Sequence, residues 1–78
     1  MRTTLKMPKV GDAVDEVVIV ELSVAVGDTV AEGQILFVVE TDKTNVEVPS
    51  PWGGTIREIK IAAGDEVATG AATMIIEV

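Results

Sequence analysis

Lys43 is the residue of this sequence whose setting points to chemistry. It stands in the run Glu40-Thr41-Asp42-Lys43-Thr44-Asn45-Val46-Glu47-Val48-Pro49-Ser50-Pro51. Upstream, residues 34–39 are mostly β-formers; downstream, Val46 and Val48 alternate with Asn45 and Glu47, the period of a strand with one covered and one wet face. The link between the two runs is therefore short. A tight turn centred on Asp42 and Lys43 is expected, because Asp tolerates turn geometry and bonds to backbone amides beyond it. Such a turn would hold an amine away from the body on a rigid base, and a pre-ordered epitope loses less entropy on binding than a floppy one. Glu40, Asp42 and Glu47 place carboxylates near that amine. A lone lysine in a turn is ordinarily only a solvated charge, so the meaning of Lys43 depends on the residues around it.

Nothing else in the chain competes as a reactive centre. There is no cysteine and no histidine, which removes disulfides, thiolate metal sites and the commonest general base and metal ligand. No serine has an activating partner, so no catalytic residues are assigned. Asp12, Asp15 and Glu16 lack the ligand count and spacing of a calcium loop, and no metal site is expected. Gly27, Gly33, Gly64 and Gly70 have no phosphate-cradling spacing and read as turn glycines. Trp52, between prolines and glycines, reads as a cap over an edge of the core.

The chain has 78 residues, enough for one small domain at 1–78 that buries only about 60% of its unfolded surface. Hydrophobic residues make up 47% with one Trp and one Phe, so Val, Ile, Leu and Ala must fill the core, and Val and Ile favour strands. Thirteen acidic against six basic residues give a net charge of -7, which opposes nucleic acid and anionic membranes and favours a partner with a basic surface. No apolar run approaches the ~20 residues of a membrane span, and the N-terminus lacks the apolar core of a signal peptide. The expected compartment is the bacterial cytoplasm or, for a eukaryotic chain stripped of its transit peptide, the mitochondrial matrix.

The elements that would position Lys43 come in two copies. Glu21, Val24, Gly27-Asp28, Val30, Gly33, Val38-Val39 and Glu40 match Glu58, Ile61, Gly64-Asp65, Val67, Gly70, Ile75-Ile76 and Glu77 at a constant shift of 37. Each half is too short to bury a core alone, so the two must share one. The expected fold is all-β: two antiparallel sheets packed face to face, a flattened barrel or sandwich with internal two-fold pseudo-symmetry. Strands are expected at 3–7 and 16–24, with a stub at 29–30. The unbroken apolar run in 16–24 suggests a strand covered on both sides for part of its length. Ile56 and Ile59, three apart where the period is two, imply a bulge near Arg57 and Glu58. Thr41 and Val78 are equivalent under the repeat, so the lysine turn and the termini should lie at opposite ends. Pro8 precedes Gly27 by 19 residues and Pro51 precedes Gly64 by 13, so the first half carries an insertion near residues 11–16.

The run from Glu40 to Pro51, followed by Gly53-Gly54, resembles the attachment motif of the lipoyl domains of 2-oxo acid dehydrogenase complexes, and the resemblance covers nearly the whole chain. It implies that Lys43 carries lipoic acid in amide linkage, installed by a lipoyl ligase or transferase, taking the formal charge from -7 to -8. It further implies a swinging arm serving a thiamine-dependent 2-oxo acid decarboxylase, an acyltransferase core and a dihydrolipoamide dehydrogenase. The domain itself would be a non-catalytic monomer, its parent chain a dihydrolipoamide acyltransferase. Glu40, Asp42, Thr44 and Glu47 then become candidates for recognition by the ligase and partners. Gly11, Asp12, Asp15 and Glu16 join them, because the corresponding loop in that family lies beside the lysine hairpin. Biotin carrier domains are similar but place methionine on each side of the lysine, where this chain has Asp42 and Thr44; Thr44 itself departs from the alanine often found in lipoyl domains. The chain is shorter than the glycine-cleavage carriers. An unmodified acidic scaffold is the alternative of a different class.

Overall fold

Alternating Val and Ile supply strands, and Gly-Asp and Gly-Gln pairs supply the turns between them. The computed structural model describes residues 1–8, 16–41 and 44–78. Eight strands run in order: β1 (Arg2–Lys6), β2 (Glu16–Leu22), β3 (Thr29–Val30), β4 (Ile35–Glu40), β5 (Asn45–Pro49), β6 (Gly54–Ile59), β7 (Glu66–Ala68) and β8 (Ala72–Glu77). They form two four-stranded antiparallel sheets, ordered β1-β8-β6-β3 and β5-β4-β2-β7. A shift of 37 carries β2, β3 and β4 onto β6, β7 and β8, and one of 43 carries β1 onto β5, so each sheet is the image of the other. One core lies between them, built from both halves: Met7, Ile19, Leu36, Phe37, Val39, Ile56, Met74 and Ile76 are almost wholly buried. Trp52 packs half-buried against that core, as its place in the sequence suggests.

The expected bulge is present. The β6–β8 register slips between Ile56 and Glu58, and the β2–β4 register slips at the equivalent place, between Ile19 and Glu21. The slip lets Ile56 turn inward while Arg57 and Glu58 both reach solvent. Strand ends differ from expectation: β1 begins and ends one residue early, and β2 stops at Leu22. The sequence reading of β2 as covered on both sides needs correction. Val17 and Ile19 are buried, but Val18 and Val20 are 38% and 40% exposed, because a two-layer sandwich covers only one face of each sheet.

The halves are bolted together by their turns. Gly27 donates its N–H to the Ile56 carbonyl at 2.8 Å and the Asp28 carbonyl accepts from Ile56 N–H at 2.8 Å; Gly64 donates to Ile19 at 2.7 Å and Asp65 accepts from Ile19 at 2.8 Å. Each turn is closed by its aspartate: Asp28 accepts from Ala25 N–H and Asp65 from Ala62 N–H, both at 2.9 Å. Gly27 and Gly64 sit at φ of 97° and 95°, where a side chain would clash with its own backbone.

A different constraint holds at Gly54, opposite Val30. A Cβ there would lie 2.3 Å from the carbonyl oxygen of Glu77, so a methyl group must wedge the sheet open. Gly54→Ala is expected to cost at least about 1–3 kcal/mol, read as a lower midpoint in urea with unchanged slope, whereas Gly53→Ala, whose Cβ meets its nearest neighbours at 3.7 Å, should be tolerated.

On the β1-β8-β6-β3 sheet, Arg57 Nε donates to Glu77 Oε1 at 2.6 Å, with Arg2 beyond at 3.8 Å. The Arg57 hydrogen bond, and then its charge, hold the Glu77 carboxyl below its ordinary value of 4.5. A depressed folded value gives stability that is present above about pH 4.5 and lost as pH falls through the folded pKa. Arg57→Ala should move the Glu77 titration midpoint up toward 4.5, as followed by carboxyl NMR.

Candidate functional site

The β4–β5 hairpin is the base on which Lys43 is carried. Its last ladder pair is Glu40 with Asn45, and its inner face is anchored by buried Val39 and Val48 and half-buried Val46. Beyond the ladder, Thr41 and Thr44 are bonded to each other three times: Thr41 N–H donates to the Thr44 carbonyl at 2.8 Å, the Thr41 hydroxyl donates to the same carbonyl at 2.9 Å, and Thr44 N–H donates to that hydroxyl at 3.2 Å. Two residues, Asp42 and Lys43, link these threonines in the sequence and lie outside the described residues. The symmetry-related place is occupied by Val78 and Met1, where Val78 N–H donates to the Met1 carbonyl at 2.8 Å. Neither of those residues has a hydroxyl, so the threonine staple belongs to the lysine hairpin alone.

Hairpin and termini lie at opposite ends, as the repeat implies. Glu40 pairs with Val18 on β2, and Val18 with Glu66 on β7. Beyond β7, Ala71 and Gly70 bond to Met7, one strand length along β1 from Met1.

Several of the recognition candidates converge and others do not. Glu40 and Glu16 border the same open depression of about 360 Å³, together with Val17, Val18, Thr41 and Glu66. Thr44 is exposed at the hairpin end, and Glu47, paired with Val38 on the outer face of β5, stands away from the depression. Gly11, Asp12, Asp15 and Asp42 lie outside the described residues; Glu16, the described end of the inserted segment, does reach the hairpin base. Glu66 escaped the sequence reading. It lies 26 residues beyond Glu40 and faces it only through the β2–β7 ladder, and its repeat equivalent is Thr29, so no pattern marked it. Among the described residues no acidic group is arranged to hold a metal ion.

Comparison with known proteins agrees with this geometry. The family model described as "Biotin-requiring enzyme", Biotin_lipoyl, matches residues 3–76. The chain is 47% identical over 95% of its length to the dihydrolipoyllysine-residue acetyltransferase component of the pyruvate dehydrogenase complex of Haemophilus influenzae, and covers 13% of that protein. It is 43% identical over 95% of its length to the lipoamide acyltransferase component of the branched-chain alpha-keto acid dehydrogenase complex of Pseudomonas aeruginosa, covering 17% of it. The chain thus spans less than a fifth of these relatives. Among solved structures, the lipoyl domain of the 2-oxoglutarate dehydrogenase complex of Azotobacter vinelandii superposes with a TM-score of 0.77 at 24% identity, over 96% of this chain and 95% of that one. The Kluyveromyces lactis urea carboxylase gives 0.81 at 23%, over 99% of this chain and 6% of that one. At these identities the structural likeness is one of fold, the flattened barrel-sandwich. With its sheets, its repeat and its lysine hairpin in place across residues 3–76, the chain belongs to the biotin/lipoyl-attachment family.

Proposed function

We propose that this chain is a lipoyl carrier domain, with lipoic acid in amide linkage to Lys43. The observation that carries the reading is one lysine in a two-residue link between threonines bonded to each other three times, in a chain whose relatives are named for dihydrolipoyllysine or for lipoamide. The fold alone does not decide, since a carboxylase shares it; Asp42 and Thr44 beside the lysine favour lipoylation over biotinylation.

The residues present suit such a group. An amide-linked arm needs no enclosing pocket, only an amine on an anchored support, and the Thr41–Thr44 bonds supply that support. The chain has no cysteine, so no thiol of its own can exchange with a nearby disulfide. When bound, lipoic acid supplies a dithiolane that takes up an acyl group and two electrons together. The protein's part is positional. Val39, Val46 and Val48 fix the two arms of the hairpin to the core, and the threonine hydroxyl closes its end. Tethering raises the effective concentration of the carried group at each partner. The partners proposed are a lipoyl ligase or transferase, a thiamine-dependent 2-oxo acid decarboxylase, an acyltransferase core and dihydrolipoamide dehydrogenase.

Intact mass with peptide mapping tests the attachment, with lipoate, biotin and both ligases present. A lipoyl increment confined to Lys43, lost in Lys43→Gln with unchanged melting temperature, is expected; a biotinyl increment or none would sink the proposal. Thr41→Val should cost about 0.5–1.5 kcal/mol by removing the hydroxyl bonds and speed exchange of the Thr44 amide, while Thr41→Ser should retain both properties.

A further inference from the structure

The two corners that the repeat makes equivalent are closed differently. Met1 and Val78 exchange both backbone bonds expected of an antiparallel pair: Val78 N–H donates to the Met1 carbonyl at 2.8 Å, and the Met1 amino group donates to the Val78 backbone oxygen at 2.9 Å. At the lysine hairpin the first of these recurs, Thr41 N–H donating to the Thr44 carbonyl at 2.8 Å. The second is diverted. Thr44 N–H donates at 3.2 Å to the Thr41 hydroxyl, which itself donates to the Thr44 carbonyl at 2.9 Å. A side chain is thus inserted where the other corner sets backbone against backbone.

The sequence of the link gives this insertion a reason. The favoured two-residue hairpin turns need positive φ at one or both central positions, which glycine and asparagine supply readily and lysine does not. Passing one closing bond through a hydroxyl makes the closed ring larger, and the demand on the two central residues relaxes. The hydroxyl has one proton, which goes to the carbonyl, while its oxygen receives the amide. Both ends of the link are therefore tied through the same group.

We propose that the Thr41 hydroxyl is a positioning group for the reaction at Lys43: by taking the Thr44 amide it sets the spacing and relative orientation of the two residues between which the lysine is strung. This rests on the carrier reading above. Thr41 touches no reacting atom. In the step it serves, the Lys43 nitrogen forms the amide bond to the lipoyl carboxyl carbon, the carboxyl–phosphate C–O bond breaks, and a nucleoside monophosphate and the amine's proton leave. Without the hydroxyl the corner interconverts between open forms and the backbone-closed form of Met1 and Val78. Only a fraction of chains then presents the competent arrangement, and apparent affinity falls by that fraction with the chemical step untouched.

The test is steady-state acylation of the purified chain by lipoate ligase with lipoate, ATP and magnesium, beside hydrogen exchange of the Thr44 amide. Thr41→Val, isosteric but without the hydroxyl, should raise KM for the chain about fivefold with kcat within about twofold, and Thr41→Ser should bring KM back to within about twofold of wild type. Thr41→Ala takes the place of Thr41→Val if the latter loses its circular dichroism. Thr73→Val removes a hydroxyl that donates to the Leu5 carbonyl at 2.7 Å in the other sheet, and should leave both constants unchanged. Acetylation of Lys43 by a small succinimidyl ester, read by peptide mapping, should run equally fast in wild type and Thr41→Val, since a small reagent selects no conformer. Faster Thr44 exchange in Thr41→Val with unchanged KM would reduce the hydroxyl to a stability element and overturn the proposal. A raised KM in Thr41→Ser with slow Thr44 exchange would overturn it as well, and so would a matching fall in the succinimidyl rate, which would move the effect to the amine's own reactivity. Failure of the wild-type chain to be acylated at all would instead overturn the carrier reading, and the positioning role with it.

Discussion

The exchange of backbone bonds between the two turns and the two bulged strands is the constraint on which this fold depends. Gly27 and Asp28 grip Ile56, and Gly64 and Asp65 grip Ile19. In each case a turn from one half is held by a strand from the other. Neither half can complete its hydrogen bonding alone, and a buried amide without a partner is costly. The shared core has the same consequence in apolar terms, since Ile19 and Ile56 are both almost wholly buried. The domain is therefore cooperative across its whole length, with ladder partners far apart in sequence, a topology that folds slowly for its size.

Upon that symmetric frame, function is a matter of departures from symmetry. The hairpin end is stapled by Thr41, where its counterpart has Val78. Among the described residues, Glu58 and Glu77 of one sheet are paired with lysine and arginine, and the glutamates of the other sheet are in no ion pair. The backbone repeat sets where a turn can be presented, and side chains distinguish the two equivalent ends.

What was legible in the sequence follows from the range of each signal. The repeat at 37 residues gave the paired architecture, and Ile56 and Ile59 marked a bulge because a strand cannot place both inward at a spacing of three without one. The alternation of Val46 and Val48 with Asn45 and Glu47 likewise revealed which face of β5 is covered. The reading of β2 failed where local apolarity and tertiary layering disagree: Val18 and Val20 look like core residues in sequence, yet a two-layer sandwich has no third layer to cover them. Glu66 was invisible for a different reason. Its place beside Glu40 depends on β7 pairing with β2, a long-range fact with no local pattern.

The bond between Met1 and Val78 has a topological consequence. Because these residues occupy the place that Thr44 and Thr41 hold in the other half, the path of the backbone is in effect a ring severed at one of its two equivalent corners. A two-residue bridge between them would close the ring, and the chain could then be reopened at a distant turn with its ladders intact. A bridge containing lysine would give one body two presented amines, at opposite poles.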